Sequence, residues 1–265
     1  MLKRLLLTGA AGGLGTALRP KLAHLAEELR VSDMVDVGPA GPNEEVVTCN
    51  LADKAAVHDL VDGCDGIVHF GGKSIEGPWE VVRDSNIEGM VNLYEAARKT
   101  GKPRILYASS NHAIGFYPQT ETLDADSPIR PDGFYGVSKV FGEALASMYH
   151  DKFGIETACV RIGSCFPEPR DHRMLSTWLS PGDFVRLIER VFAVDTLGCP
   201  IIYGVSANKD VWWDNSKVAY LGWEPQDSSE PYRAKLDAAM ERPGPGDPSR
   251  VYQGGAFAAD KIHES

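Results

Sequence analysis

Apolar positions along this chain fall into short continuous runs separated by stretches of helical period. Leu5 to Thr8 is an apolar run that stops at glycines, the pattern of a central parallel strand covered on both faces. Leu14, Leu18, Leu22 and Leu25 then recur at helical spacing and predict a helix over 14–29. A second strand is expected near Leu29–Val31, ending at Asp33, and a third at Val46–Thr48. Lys54–Val61 reads as a helix that Asp53 can cap. Strands follow at Gly66–Phe70, Arg104–Ala108 and Thr157–Ile162, with helices at Val81–Lys99 and Tyr135–Phe153 between them. Beyond Ser164 the order loosens. Pro181–Val194 reads as a helix with proline in its first turn, Ile201–Tyr203 as one more strand, and Arg242–Pro248 as a surface loop.

Alternating strand and helix predict an α/β protein, a doubly wound Rossmann-type parallel sheet with a small C-terminal region covering the substrate. The expected organisation is one domain over 1–265. Residues 1–163 form mainly the cofactor-binding core and 164–265 mainly the substrate region, with the strand near 201–203 joining the sheet. No internal repeat or long flexible linker divides the 265 residues.

Composition narrows the function. The hydrophobic fraction of 43% and charged fraction of 24% exclude a disordered or fibrous chain. No apolar run approaches the ~18 residues of a membrane helix, so no membrane partner is expected. The run Leu5–Leu7 after Lys3 and Arg4 stops too early for a signal peptide, and a cytoplasmic location is expected. The net charge of −10 argues against a nucleic-acid partner, because phosphate binding needs a basic face. It reads as solubility, with adaptation to high salt as the sharper alternative. Cys49, Cys64, Cys159, Cys165 and Cys199 are scattered and unpaired in sequence, so reduced core residues are expected rather than a disulfide framework or a metal site.

Three motifs carry chemistry. Thr8–Gly15 (TGAAGGLG) lies between the first strand and the first helix. There Gly9 permits the tight turn, Gly12 lets backbone approach a pyrophosphate, and Gly15 allows close helix–strand packing. The helix N-terminus then favours phosphates. Asp33 stands about twenty residues past that loop, where a carboxylate accepts from the adenosine ribose and repels a 2′-phosphate. NAD is therefore expected over NADP, with Asp36 as the rival position. Tyr135 and Lys139 are four residues apart, on one face of a helix. Lowering a tyrosine by about three pKa units needs ~4 kcal/mol, the order that one cation ~4 Å away supplies at an effective dielectric of about 20. Lys139 and a nicotinamide cation are the available charges. Ser109, Ser110, Asn111 and His112 follow the fifth strand, at the carboxyl edge where open α/β sheets bind ligands.

With these motifs the chain resembles the extended short-chain dehydrogenase/reductases over nearly its whole length. Further matching stretches are Asp65–Gly72 (DGIVHFGG), Asn86–Asn92 (NIEGMVN) and Leu221–Pro225 (LGWEP). Within that superfamily it is similar to the NAD-dependent uronate dehydrogenases through TGAAGGLG, HFGGKSIE, ASSNHAIGFYPQTE, FYGVSK and RIGSCFPEPRDHRMLSTW. The resemblance implies oxidation of the C1 hydroxyl of a small-molecule uronic acid, with NAD as acceptor and an aldaric acid lactone as product. It makes Tyr135 the base, Lys139 its activator and ribose ligand, and Ser110 the orienting hydroxyl. The cofactor would run along Gly9, Gly12, Gly13, Leu14, Gly15, Asp33, Met34, Asn50, Leu51, Phe70, Gly71, Gly72 and Ile162. Ser74, Asn111, His112 and Ser164 would touch sugar hydroxyls. Arg173 would grip the sugar carboxylate, a role for which Arg161 and Arg170 compete on residue type alone. A homo-oligomer is expected.

One position departs from the pattern. Asn50 stands where many members carry Asp, leaving a weaker acceptor for the adenine amino group. The alternatives are a nucleotide-sugar epimerase or dehydratase of the same superfamily, a non-catalytic NAD-sensing regulator, and a reductase of another small carbonyl compound. The short C-terminal half speaks against the first, and the Tyr135/Lys139 pair against the second.

Overall fold

The computed structural model describes residues 1–262. The chain runs β1 (Leu2–Thr8), α1 (Gly13–Leu22), β2 (Ala26–Asp33), β3 (Glu44–Thr48), α2 (Lys54–Val61), β4 (Gly66–His69), α3 (Trp79–Val82), α4 (Gly89–Thr100), β5 (Arg104–Ser110), α5 (Phe134–Phe153) and β6 (Thr157–Ile162). It continues through β7 (Ser164–Cys165), α6 (Met174–Thr177), β8 (Trp178–Leu179), α7 (Pro181–Ala193), β9 (Ile201–Gly204), α8 (Arg233–Ala239) and α9 (Pro248–Val251). Seven strands form one sheet in the order β3-β2-β1-β4-β5-β6-β9, and every neighbouring pair is parallel.

The apolar run of β1 supplies both faces of the sheet. Leu5 and Leu7 join a core with Val68, Leu106 and Val160 that α1 and α7 cover through Leu18, Leu22, Phe184 and Leu187. Leu6, between them, joins Ile67, Ile105 and Cys159 on the other face, under Leu60, Leu93 and Ala146 of α2, α4 and α5. A strand buried on both sides has no polar alternation to show, which is why its sequence is continuously apolar.

The expected elements are present, with three differences. The helix expected over 14–29 ends at Leu22. Pro20 lies inside α1 and cannot donate to the carbonyl four residues back, and the chain turns through Ala23–Leu25 into a strand paired with β1 from Ala26. Leu25 packs on the core from that turn rather than from a helix. The helix expected over 81–99 starts at Trp79 and contains a π-helical stretch, Arg83–Glu88. This turns Asn86 inward, where its amide accepts from Lys73 N (2.7 Å) and donates to Lys73 O (3.0 Å) and to Ser138 Oγ of α5 (2.9 Å). Arg242–Pro248 is a loop only to Asp247, whose side chain caps α9 by accepting from Ser249 N. Lys54–Val61 and Thr157–Ile162 have the expected bounds, and Asp53 caps α2 through Ala55 N and Ala56 N.

Candidate active site

A cleft of about 1530 Å³ runs along the carboxyl edge of the sheet. Its cofactor end begins at the loop after β1. Gly9 has φ +71°, and a Cβ there would stand 2.5 Å from the Phe70 carbonyl carbon. A Cβ on Gly15 would stand 2.2 Å from Gly9 O, so the loop and α1 touch backbone to backbone. Gly12 opens α1 with no side-chain cap, and its first turn has no acidic residue. Those helix-end N–H groups are left to an anion. Nothing lies within 4 Å of the place a Gly13 Cβ would take, which leaves an open approach. The cradle fits a dinucleotide pyrophosphate.

Asp33, at the end of β2, faces the same cleft. One carboxylate oxygen accepts from Ala11 N of the glycine loop at 3.0 Å, and the other from Met34 N at 2.7 Å. Asp36 accepts from Gly38 N (2.9 Å) within its own turn and is absent from the cleft wall, so of the two carboxylates Asp33 is the one that faces the cleft. Asn50 lines the cleft too, and its side-chain oxygen accepts from Ala52 N at 3.0 Å. Gly13, Leu14, Met34, Leu51, Phe70, Gly71, Gly72 and Ile162 also line this end.

Tyr135 and Lys139 meet that cavity from α5. Both are buried. Lys139 Nζ donates to Ala108 O at 2.8 Å and lies 5.5 Å from the Tyr135 ring centre. Burial pushes Lys139 down to about 8, against Glu143, which raises it. Burial likewise pushes the Tyr135 phenol up to about 12, and its bond with Ser110 only partly opposes this. The protein's own groups therefore favour the protonated phenol. Of the two cations available to lower the phenol, Lys139 and a nicotinamide ring, only Lys139 belongs to the chain, and burial together with Asp132 keeps the phenol up.

At the substrate end, Ser74, Ser110, His112, Ser164 and Arg173 line the cleft. Asn111 is 1% exposed and does not reach the wall. With its amide oxygen toward the guanidinium, it accepts from Arg173 Nη2 at 2.7 Å and donates to Ile162 O (3.1 Å) and Gly163 O (3.3 Å). Of the competing arginines, Arg161 is buried in a pair with Glu143 (2.8 Å). Arg170 also lines the cleft, with its guanidinium carbon 3.7 Å from the centre of the Phe166 ring. Arg173 makes no ion pair among the described residues, and burial pushes it down to about 10, well above neutral pH.

The profile of the NAD dependent epimerase/dehydratase family matches residues 5–181. The chain belongs to the NAD dependent epimerase/dehydratase family. A uronate dehydrogenase of Agrobacterium fabrum is 58% identical over 261 residues, covering 98% of each chain. A crystal structure of a glucuronic acid dehydrogenase from Chromohalobacter salexigens superposes with a TM-score of 0.98 at 57% identity, covering 99% of this chain and 98% of that one. A uronate dehydrogenase from Agrobacterium tumefaciens, a tyrosine-to-alanine variant complexed with NAD, also gives 0.98 at 57% identity, covering 99% of each chain.

In this epimerase/dehydratase chain four residues shape the site without a signal of their own in the sequence. Glu76 accepts from Phe134 N (3.1 Å) and Tyr135 N (2.9 Å), capping the helix that carries the tyrosine. A Cβ on Gly133 would stand 2.3 Å from Glu76 Oε2, so glycine leaves room for that carboxylate. Asp132, its side chain 1% exposed, accepts from His112 Nδ1 at 2.8 Å, which leaves Nε2 as the free ring nitrogen. Phe257 stacks on the other side of His112 at 4.1 Å, and the main-chain carbonyl of Gln253 holds Arg173. These partners are far apart in sequence, and only the fold brings them together.

Proposed function

We propose that this protein oxidises the C1 hydroxyl of a hexuronic acid, D-glucuronate or D-galacturonate, to an aldaric acid lactone with NAD+. Its uronate dehydrogenase relatives match across nearly the full length, and one such structure holds NAD. The observation that carries the substrate assignment is Arg173. Arg173 forms no salt bridge among the described residues, and its guanidinium lines the cleft that Tyr135 also lines. Its planar fork matches a sugar carboxylate, and its charge persists at neutral pH.

Each residue then has a task. Ser110 orients the C1 hydroxyl beside Tyr135, and Tyr135 takes its proton. Lys139 holds positive charge near the phenol and bonds the ribose. Ser74, His112 and Ser164 bond sugar hydroxyls, and Asn111 acts from behind the wall by steadying Arg173. The glycine loop holds the pyrophosphate, and Asp33 accepts from the adenosine ribose. Bound NAD+ supplies the hydride acceptor and a second positive charge beside the phenol.

The chain is proposed to act as one domain, with 1–163 mainly the cofactor core and 164–265 mainly the substrate region. It is proposed to be cytoplasmic, supported by five free cysteines and by the lack, among the described residues, of a helix long and apolar enough to cross a membrane. Its net charge of −10 supports the absence of a nucleic-acid partner. Val137 and Met148 expose apolar surface about three turns apart on α5 and support a homo-oligomer. Arg173→Ala tests the substrate reading. KM for uronates is expected to rise at least about tenfold more than KM for neutral aldoses, since one charge-assisted contact is lost. Equal effects on both substrates would remove Arg173 from the carboxylate role.

A further inference from the structure

The stretch 251–257 (VYQGGAF) lies as a strap along its own chain. Gln119 N donates to Val251 O, Gln253 N to Tyr117 O and Gly254 N to Gly115 O, each at 2.8 Å. Tyr252 bridges antiparallel to Pro118. Gln253 is fully buried in the centre of the strap. Its side-chain oxygen accepts from Trp213 Nε1 at 2.7 Å, and its side-chain nitrogen donates to Pro118 O (3.1 Å) and Glu121 O (2.8 Å). A buried amide with its oxygen and both nitrogen hydrogens bonded is held in place by all three partners.

Its main-chain carbonyl meets the arginine. Gln253 O accepts from Arg173 Nε at 2.7 Å and also from Nη2. One edge of the guanidinium fork is thereby taken by the strap, and Asn111 adds an acceptor at Nη2. Among the described residues Nη1 keeps only a long contact of 3.4 Å to Ser164 Oγ. The neighbouring glycines are fitted to this arrangement. Gly255 has φ +71°, and a Cβ there would stand 2.7 Å from Arg173 Cδ. A Cβ on Gly254 would stand 1.8 Å from Asp132 Oδ2, the carboxylate that holds His112.

We infer that the C-terminal strap selects for carboxylated sugars by aiming Arg173, with Gln253 as the positioning residue that turns the free Nη1 edge and Ser164 toward the substrate carboxylate. The inference rests on the carboxylate reading of Arg173 and adds what fixes its direction. A long arginine side chain free to sample rotamers would lose more entropy on gripping a ligand. Gln253 does not line the cleft. It acts through Arg173, and its removal changes uronate binding more than turnover.

A double-mutant cycle in the full chain tests this with Arg173→Ala, Gln253→Ala and the double variant. KM and kcat for D-glucuronate, the Kd of NAD+ and the melting temperature are measured for each. Gln253→Ala is expected to raise KM about tenfold with kcat changed less than about threefold, the signature of lost ground-state binding. Its NAD+ affinity stays within about twofold, and on the Arg173→Ala background it adds nothing to KM. An unchanged KM in Gln253→Ala, or a KM effect that multiplies fully with that of Arg173→Ala, overturns the inference. An unchanged KM in Arg173→Ala instead overturns the carboxylate reading beneath it. If Gln253→Ala fails to fold, Trp213→Phe removes one donor to Gln253 and keeps an aromatic ring in place. It is expected to raise KM about threefold, and no rise would overturn the inference.

Discussion

Burial holds the Tyr135 phenol at about 12 in the protein alone, while Lys139 sits at about 8. The proposed role of Tyr135 as base near neutral pH therefore calls for a further positive charge, which a bound nicotinamide would supply. The difference in phenolate absorbance between the protein and Tyr135→Phe is expected only above pH ~10 without NAD+, and at lower pH with it. Tyr135→Phe is expected to lower kcat by at least about 10³-fold, the upper range for a positioned proton acceptor, with NAD+ binding within a few-fold. Turnover close to that of the unmodified protein would remove Tyr135 from the role of base. At this scale the placement of the glycine loop, Asp33 and the Tyr135/Lys139 pair on one cleft was legible, because each is a local spacing next to a strand or on a helix face. Asp132, Glu76 and Gln253 were not, because their partners lie 20, 59 and 80 residues away.

Glu76 shows how an element is set by another segment. Gly133 leaves α5 without a side-chain cap of its own, and a carboxylate from the loop after β4 takes both N–H groups. Losing such a cap costs ~1 kcal/mol. Glu76→Ala is expected to lower the melting temperature by about 2–4 °C, the shift for ~1 kcal/mol in a chain of this size. Its kcat should fall as well, because Tyr135 sits in the first turn that loosens. An unchanged kcat with a lowered melting temperature would confine Glu76 to stability. Local signals placed α2 and its cap at Asp53 correctly, since Asp53 and the N–H groups that donate to it are two and three residues apart. The same logic overran α1, where leucine spacing continued across Pro20 into a turn. The π-helical stretch at Arg83–Glu88 was invisible, since the contacts that accompany it, from Asn86 to Lys73 and Ser138, lie 13 and 52 residues away.

Across the whole molecule the alternation of apolar strands and amphipathic helices was enough to give a doubly wound parallel sheet, because crossover helices must cover both faces. The small pair β7–β8 and the strap at 251–257 were not legible, since they depend on long-range contacts rather than period. Global stability carries a further mark of the site. His69, 2% exposed at the end of β4, bonds Thr8 Oγ1 at 2.7 Å, and burial pushes it down to about 3, with Lys139 adding to the effect. Between its ordinary 6.5 and about 3 the unfolded chain binds the proton and the folded one does not, so stability falls as pH drops through that window. The full gap corresponds to ~4–5 kcal/mol. His69→Gln is expected to flatten the acid limb of a stability curve measured by denaturant unfolding between pH 6.5 and about 3. Parallel limbs for the two proteins would contradict this.

The central claim is uronate oxidation with NAD+. Mixing the purified protein with NAD+ and D-glucuronate or D-galacturonate, and following NADH, tests it most directly. Rapid NADH formation is expected, with no reduction of NADP+, the outcome of the proposed role for Asp33, and little NADH from neutral hexoses, the outcome of the proposed role for Arg173. Measurable NAD+ binding with no NADH from either uronate would contradict the claim.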